Sequence, residues 1–454
     1  MTACHVPRTG YRRLLLGCAL PAMLLAACGA AKTLPDPPSA PKPTAPSMTA
    51  AACASTLAAT FGTVARRVYH EGNSSTTQRL NVGLVRRSRA LRAAVLADDP
   101  AGAVAAAEAL VATGHVSRLL VKAYGHVLAD VGAGYALAPA HVTLRDAGGA
   151  PIGTALVSDQ SASAFVDTVD NLTDGGASVR DGARVLAGDR RANGVALPAA
   201  GLARAHGTTY AVWSFPVRAF PSGTWHIVML RSVANPRARC GSSALTTIVN
   251  GIGRAATQIY RGENSGATLR TQLERVQANG PLLAAVAARD AAAARLAIDR
   301  LLTQHIVRIR VTIGGRVLVD VGGPFVLAPV TVPLRSAGRT IADATVSVQD
   351  DLGFVLLARR LLHVHVVVRL PSSLTITPQE AKVVASSSQR VGGYEVRVIA
   401  GPPPVMTTLG AAVTIPASGP VTIAGSGYQA FTVNATAFPS GPLPIVVLIP
   451  IPYR

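Results

Sequence analysis

The chain has 454 residues, of which 49% are hydrophobic, 4% aromatic and 15% charged, and its formal net charge is +20. This composition excludes an intrinsically disordered chain and leaves room for two or three domains with buried cores. The basic residues are almost all arginines, scattered along the chain with few aromatics between them. We therefore expect no nucleic-acid partner, whereas anionic lipid and acidic wall polymers fit such a charge.

The N-terminal residues predict export and a membrane anchor. A basic stretch precedes the apolar run LLLGCALPAMLLAA, which is too short to span a bilayer and is typical of a secretory signal peptide. The run ends in Leu25-Ala26-Ala27-Cys28-Gly29, which resembles the lipobox of bacterial lipoproteins, where the cysteine is acylated and becomes the new N-terminus. The resemblance implies a signal peptide over residues 1–27, lipidation of Cys28 and an extracytoplasmic, membrane-anchored protein. The alternative is an ordinary signal peptide that is cut nearby.

A proline-rich segment, KTLPDPPSAPKPTAPS, follows the lipobox. Such a segment cannot pack a core, so residues 28–50 are predicted to be an extended tether. Beyond the tether the cysteines are Cys53 and Cys240. Outside the cytoplasm an even pair is a disulfide candidate, and both residues stand just before a helical pattern. The alternative is two free thiols that are too far apart to bond.

The rest of the chain is an internal duplication. GHVLADVGAGYALAPAHVTLR at residues 125–145 recurs as GRVLVDVGGPFVLAPVTVPLR at residues 315–335, and flanking residues such as Tyr69 and Tyr260 match at a similar spacing. The spacing grows near the end because the second copy carries an insertion between about residues 371 and 425. Each copy is as long as a domain, so the sequence predicts two tandem domains, copy one at 51–238 and copy two at 239–454.

Each copy is predicted to begin with helices, because apolar residues recur at helical spacing. The positions are Leu80, Leu84, Leu91 and Val95 in copy one, and Leu269, Leu273, Val276 and Leu283 in copy two. Later, HIVRIRVTIGGRVLVDVGG alternates between apolar and polar residues, and Gly314-Gly315 predicts a two-residue hairpin turn. More strands surround a short helical run, LGFVLLARRLL. The predicted fold class is α+β, with N-terminal helices packed on an antiparallel sheet in each copy.

The order of these elements resembles a known family. A helix, the pattern G-x-V-L-x-D-V-G-x-x-(F/Y)-x-L-A-P, an L-R-x-x-G turn, a strand ending in S-x-Q and a final hairpin resemble a Cache domain, a PAS-like extracytoplasmic sensor module of bacteria. The resemblance covers both copies and implies two tandem PAS-like modules that bind a small metabolite between the middle of a sheet and its covering loops. Family members usually precede a transmembrane helix and an output domain. Here we expect that the chain has no output domain of its own. We expect a separate membrane protein to be its signalling partner.

Enzyme signatures are lacking, with no G-x-S-x-G, H-E-x-x-H, C-x-x-C or P-loop pattern. We therefore expect no catalysis, no cofactor and no metal site. An enzymatic alternative would require an acid–base pair with perturbed pKa values in one pocket.

Several candidate ligand contacts are polar residues around the repeated hairpin, each with a structural alternative. Asp130 and Asp320 follow the hairpin beside glycines, where fixing a turn is the alternative. Arg145 and Arg335 end strands and suit a carboxylate or phosphate, although a solvent-facing arginine is the alternative. Arg118 and Arg308 lie on the side of their strands opposite the apolar face. They either line a pocket or face water.

Further candidates lie at the strand–helix junction and on a late strand. The junction residues cap a helix or rim a pocket, since acids favour a helix N-terminus; they are Gln160, Gln349, Asp350 and Asp351. Tyr210 and Tyr428 begin the late strand, where core packing is the default interpretation.

The leading hypothesis is a lipid-anchored extracytoplasmic protein that binds or senses a small molecule, with anionic compounds among the candidates. The alternative is a structural envelope lipoprotein that binds anionic wall polymer or lipid through its basic surface. Salt separates the two hypotheses, because exposed charges are screened over about 10 Å at 0.1 M salt, whereas pocket binding of a neutral molecule is not.

Overall fold

The computed structural model describes residues 48–454, apart from 75, 114–115, 235–239, 303–304, 324–325, 370–396, 400–404, 408–414 and 454. The described residues belong to one compact unit. The predicted signal peptide (1–27), the lipidation site Cys28 and the tether up to residue 47 lie outside the described residues. The predicted boundary between the copies, at residues 238 and 239, also lies outside them, and so does most of the copy-two insertion.

Copy one alternates between helical and sheet segments. Its helices are α1 (Ala50–Ser74), α2 (Thr76–Arg87), α3 (Arg89–Leu96), α4 (Pro100–Thr113) and α5 (Ala162–Thr173). The strands before α5 are β1 (Arg118–Ala123), β2 (His126–Gly132), β3 (Ala136–Leu137), β4 (Ala140–Arg145), β5 (Pro151–Ser158) and β6 (Gln160–Ser161). The strands after α5 are β7 (Ala177–Asp181), β8 (Arg184–Gly188), β9 (Ala200–Ala205), β10 (Thr208–Arg218) and β11 (Thr224–Ser232).

Copy two repeats this order. Its helices are α6 (Ala244–Ser265), α7 (Ala267–Gln277), α8 (Gly280–Ala287), α9 (Ala291–Leu301) and α10 (Asp351–Leu362). The strands before α10 are β12 (Arg308–Ile313), β13 (Arg316–Gly322), β14 (Val326–Leu327), β15 (Val330–Ser336), β16 (Arg339–Ser347) and β17 (Gln349–Asp350). The strands after α10 are β18 (His365–Arg369), β19 (Arg397–Ile399), β20 (Val405–Thr407), β21 (Gly419–Ile423), β22 (Ser426–Thr436) and β23 (Pro442–Pro450).

Local sequence signals set several of these boundaries. Polar side chains cap helix N-termini by accepting a hydrogen bond from a backbone N–H group of the first turn, as Ser161 does for α5 and Asp290 does for α9. Ser243 and Thr246 form a reciprocal capping box at the start of α6. The predicted turn between β12 and β13 is confirmed, because Gly314 and Gly315 have φ angles of 54° and 78°, which glycine adopts without steric cost.

The α+β class is confirmed, but each copy has two main antiparallel sheets where the sequence predicts one. The small sheet has the order β2-β1-β5-β4 in copy one and β13-β12-β16-β15 in copy two. The large sheet has the order β8-β7-β11-β10-β9 in copy one and β19-β20-β18-β23-β22-β21 in copy two. Helix α5 or α10 separates the two sheets along the chain. Alternating strands look alike whichever sheet they join, so periodicity could not divide them.

The hydrophobic residues form separate cores for the small sheets and a shared core for the large ones. The small sheet of copy one packs with α2, α3 and α4, and that of copy two packs with α7, α8 and α9. The largest cluster combines one face of each large sheet with helices α1, α5, α6 and α10. The apolar faces of these four helices are therefore buried by residues of both copies, which joins the copies into one body.

The helices predicted from the spacing of Leu80, Leu84, Leu91 and Val95 are present, but these residues do not share a buried face. Leu91 and Val95 are buried, whereas the side chains of Leu80 and Leu84 are 58% and 43% exposed. Helix α2 instead turns Val85 and its neighbours toward strands β4 and β5. Helical spacing identifies residues that share a face, but it does not say which face meets the core.

Close helix–sheet packing recurs in both copies. A Cβ atom on Gly62 of α1 would overlap the indole ring of Trp213, and one on Gly253 of α6 would lie 2.6 Å from the ring of Phe431. The hydroxyl of Tyr69 accepts a hydrogen bond from the backbone N–H of Arg218 at 3.0 Å. Glycine and tyrosine thus fix the first helix of copy one on its large sheet.

Covalent and polar contacts reinforce the junction between the copies. Cys53, in the first turn of α1, forms a disulfide with Cys240, just before α6, with a Cα–Cα distance of 5.7 Å. The guanidinium of Arg360 in α10 donates to the carboxylate of Glu71 in α1 at 2.7 Å. The hydroxyl of Tyr453 accepts from Arg67 at 2.7 Å. Together these contacts attach α1 to copy two along its length.

Candidate functional site

The structure pairs the four charged candidates at the repeated hairpins. In copy one, the guanidinium of Arg118 donates to both carboxylate oxygens of Asp130, at 2.9 and 2.7 Å. In copy two, Arg308 donates to both oxygens of Asp320 at 2.8 and 2.9 Å. These aspartates therefore bind an arginine instead of fixing the turn, because Arg118 and Asp130 are diagonal neighbours on paired strands, where Arg118 faces Gly132 and Asp130 faces Leu120.

Each ion pair also touches the large sheet of its own copy. The Arg118 guanidinium stacks 4.8 Å from the ring centroid of Phe220, and that of Arg308 stacks 4.7 Å from Phe438. Phe220 follows strand β10, so the stack connects the small sheet with the large sheet. We call each set of arginine, aspartate and phenylalanine a clasp. In each clasp the guanidinium and the carboxylate bind each other, and the guanidinium lies on a ring, which indicates a structural role. Such a stack contributes about 0.5–1 kcal/mol at exposed sites.

The junctions before α5 and α10 hold the next group of candidates. Asp350 caps α10 by accepting a hydrogen bond from the backbone N–H of Gly353, so the capping interpretation is confirmed. The side-chain nitrogen of Gln349 donates to the carbonyl of Asp350 at 3.1 Å. In copy one, the side-chain oxygen of Gln160 is buried without a hydrogen-bond partner among the described residues.

Asp351 is the most strongly perturbed acid of the described residues. Its side chain is 1% exposed, and its Oδ1 atom has no hydrogen-bond partner in the part of the chain that the structure describes. Burial and the neighbouring charge of Asp350 raise its pKa to about 7, since a buried carboxylate loses its hydration. At the matching position copy one has Ala162, which belongs to the shared core. Asp351 thus places an ionisable group where copy one has a methyl group.

The tyrosine candidates lie on the outer face of the large sheets. Tyr210 is buried there, with the guanidinium of Arg191 lying 5.6 Å from its ring centroid. Tyr428 packs on the corresponding cluster of copy two and contacts His365 edge to face, with 5.5 Å between ring centroids. Both tyrosines are packing residues in the described structure.

The segment between β8 and β9 covers this outer face in copy one. It is held by Arg180 of β7, which is buried and donates from its Nη2 atom to the carbonyls of Ala192 and Val195 in this segment, at 3.0 and 2.7 Å. The same atom lies 2.7 Å from the carbonyl of Ala183 in the turn before β8. In copy two the matching Arg369 donates to the carbonyl of Ile415 at 3.2 Å. This arginine pair follows the short helix in both copies and is not among the candidates predicted from the sequence.

The two strand-end arginines are not brought into a common site with the other candidates. Arg145 is exposed and donates to the carbonyl of Gly149 at 2.7 Å, within its own hairpin. Arg335 is exposed on β15. Arg145 therefore fixes a hairpin, and the solvent-facing alternative describes Arg335.

A cleft of about 430 Å³ lies in copy one between the end of α1 and the strands β10 and β11. Its lining contains none of the sequence candidates and consists of Tyr69, His70, Asn73, Pro216, Val217, Arg218 and Thr224. Helix α1 contributes the first three residues and the paired strands β10 and β11 contribute the others. The cleft is wide open to solvent, and its lining combines an apolar floor with several polar groups.

The chemistry of the cleft is that of a hydrogen-bonding and cationic surface. The Arg218 guanidinium donates to the side-chain oxygen of Asn73 at 3.4 Å, a long bond, and among the described side chains its other N–H groups remain open to a ligand. The ring of His70 stands edge to face with that of Tyr69 at 5.7 Å. None of the described residues that line the cleft is acidic. A ligand with hydrogen-bond acceptors, charged or neutral, fits this set of donors.

The duplication gives copy two a different set of residues at these positions. The residues that correspond to the lining of the cleft are Tyr260, Arg261, Asn264, Asn434, Ala435, Thr436 and Pro442. The tyrosine is kept with its contact, since its hydroxyl accepts from the backbone N–H of Thr436 at 2.9 Å. Threonine replaces Arg218, so the strand-borne charge is specific to copy one. That charge difference inside a closely matched repeat was the signal that could have identified the cleft.

Comparisons with protein-family models, with curated proteins and with solved structures gave no match. Within the described part of the chain, three or more histidine, cysteine, aspartate or glutamate side chains do not gather where they could hold a metal ion. In the same part, none of the helices has the length and apolarity needed to cross a membrane.

Proposed function

We propose that the protein is a lipid-anchored, extracytoplasmic protein that binds a small molecule in the cleft of copy one and reports to a separate membrane protein. The observation that carries this proposal is the cleft itself, in which Arg218, His70, Asn73 and Tyr69 converge over an apolar floor. We propose no catalytic step, since binding needs only the donors that line the cleft.

Two further observations support parts of the proposal. The disulfide between Cys53 and Cys240 fits an oxidising compartment, where such bonds persist. The large sheet of copy one and both small sheets follow one strand order, in which the first strand lies between the second and the last. This recurrence supports PAS-like modules of the Cache type as the repeated unit, with two modules in each copy.

The test is thermal unfolding of the compact unit, residues 46–454, against a library of organic acids, amino acids, nucleobases and sugars. A ligand at a hundred times its Kd is expected to add about 2.7 kcal/mol to the free energy of unfolding. Arg218→Thr, which installs the copy-two residue, should abolish the shift, whereas the matched control Arg335→Thr should keep it. A hit that survives Arg218→Thr would place the ligand elsewhere.

The alternative, an envelope lipoprotein that binds anionic wall polymer or lipid, is favoured by the net charge of +20. It predicts no thermal shift from any library compound, together with tight binding to anionic polymer that is lost as salt rises from about 50 to 200 mM. That pair of results would replace the small-molecule proposal.

A further inference from the structure

Helix α2 exposes a face that combines leucines with arginines. Leu80 and Leu84 are 58% and 43% exposed, while Gln78, Asn81 and Val85 face the small sheet. At about 100° per residue, Leu80 and Leu84 lie about 40° apart around the helix axis. We call this exposed surface the outer face of α2, formed by Arg79, Leu80, Gly83, Leu84, Arg86 and Arg87.

The charge around this face has one sign. Residues 72–97 contain five arginines and no aspartate or glutamate, and the flanking acids are Glu71 and Asp98. The arginines Arg86, Arg87 and Arg89 are exposed at the end of α2 and the start of α3. The guanidinium of Arg87 lies over Gly83, because a Cβ atom on that glycine would be 3.2 Å from its Nη1 atom. The leucines and the positive charge are therefore parts of one surface.

Copy two lacks this surface although it has the same helix. In α7, Thr271 and Arg275 occupy the positions of Leu80 and Leu84, and Gln277 and Ala278 occupy those of Arg86 and Arg87. The buried side of the helix is kept, since Val276 of α7 is buried like Val85 of α2. Packing on the small sheet thus requires neither the leucines nor the arginines, and a second role is needed to explain them.

We propose that the outer face of α2 docks on the surface of an anionic lipid bilayer. Arginines near such a surface gain electrostatic energy from acidic headgroups, and exposed leucines enter the boundary between headgroups and acyl chains. A hydrated wall polymer would satisfy the arginines but would leave the leucines in water, which is why lipid is the better occupant. The proposal is independent of the ligand in the cleft.

Co-sedimentation of residues 46–454 with vesicles tests the proposal, since these residues form one compact unit. The protein should bind vesicles of phosphatidylcholine mixed with phosphatidylglycerol and should bind pure phosphatidylcholine much more weakly. Arg86→Gln with Arg87→Gln should weaken the binding about 25-fold, because each arginine near the surface contributes about fivefold. Leu80→Ser with Leu84→Ser should weaken it about 10-fold or more. The matched control in α7, Arg270→Gln with Arg275→Gln, should change it less than about threefold.

A second measurement reads the insertion directly. Tryptophan fluorescence of the Leu84→Trp variant should shift to the blue on adding the anionic vesicles, and brominated lipid should quench it, whereas Thr271→Trp should show neither effect. Equal loss of binding in the α7 control would assign the effect to total charge and overturn the proposal. Unchanged binding of the leucine variant, or no blue shift for Leu84→Trp, would overturn it as well.

Discussion

The two copies agree where helix meets sheet, and they differ at the cleft, on the outer face of α2 and at the buried start of α10. Gly62 and Gly253 bring a helix against an aromatic ring of the large sheet in their own copies. The clasps of Arg118 and Arg308 are built from the same three residue types. Both copies thus use the same helix–sheet and sheet–sheet packing contacts.

Apart from the insertion and the extra strand of the large sheet in copy two, three differences concern single side chains. The cleft has Arg218 where copy two has Thr436, the outer face of α2 has leucines where α7 has polar residues, and α10 has Asp351 where α5 has Ala162. A duplication retains what the fold needs, so residues that only one copy carries point to roles beyond folding. Substitutions that exchange residues between the copies test this division.

The largest effect is expected at the helix–sheet contacts. Gly62→Ala should lower the free energy of unfolding by about 3 kcal/mol and Gly253→Ala by about 1–2 kcal/mol, because a new methyl group would collide with Trp213 or Phe431. Urea denaturation measures both values. The control is Gly262→Ala in α6, which meets no atom within 4 Å and should be neutral or slightly stabilising. Equal effects of all three substitutions would contradict the close packing.

An intermediate effect is expected from Asp351, and it depends on pH. The carboxyl ionises near pH 4 when unfolded and keeps its proton up to about pH 7 when folded. Between these values the folded state binds more protons, so stability falls as the pH rises. Asp351→Ala installs the copy-one residue. Its free energy of unfolding should therefore exceed that of wild type by about 1–3 kcal/mol between pH 5 and pH 8.

Chemical denaturation at several pH values checks this prediction. Asp350→Ala serves as the comparison, since burial also raises the pKa of Asp350 but its carboxylate caps α10. That variant should lose stability through the lost cap. If Asp351→Ala and wild type respond to pH in parallel, the buried carboxyl is ionised in the folded protein.

The smallest effect is expected at the clasps. A double-mutant cycle of Arg118→Ala and Asp130→Ala should give a coupling of about 0.5–1 kcal/mol, because the pair is bidentate but partly exposed. The equivalent cycle with Arg308 and Asp320 should give a similar value and serves as the internal control. A coupling present in only one copy would break the agreement between them.

The sequence was sufficient for the elements whose cause is local. The duplication, the hairpin at Gly314-Gly315 and the cap at Asp350 depend on residues close together in the chain, and the structure contains each of them. The candidate site was less predictable from the sequence. The charge of the four arginines and aspartates of the clasps indicates a polar site, but which of them pair depends on strand register. That register places Arg118 across from the end of β2.

By itself, the sequence determined the duplicated order of helices and strands, because periodicity and turn residues act over a few positions. Only the tertiary structure decided how the strands divide into small and large sheets, which side of α2 is buried, and how α1 and the paired strands come together to line the cleft. The cleft unites Tyr69 with Arg218, which are far apart in the chain. Such contacts follow from the packing of whole faces, which no short stretch of sequence encodes.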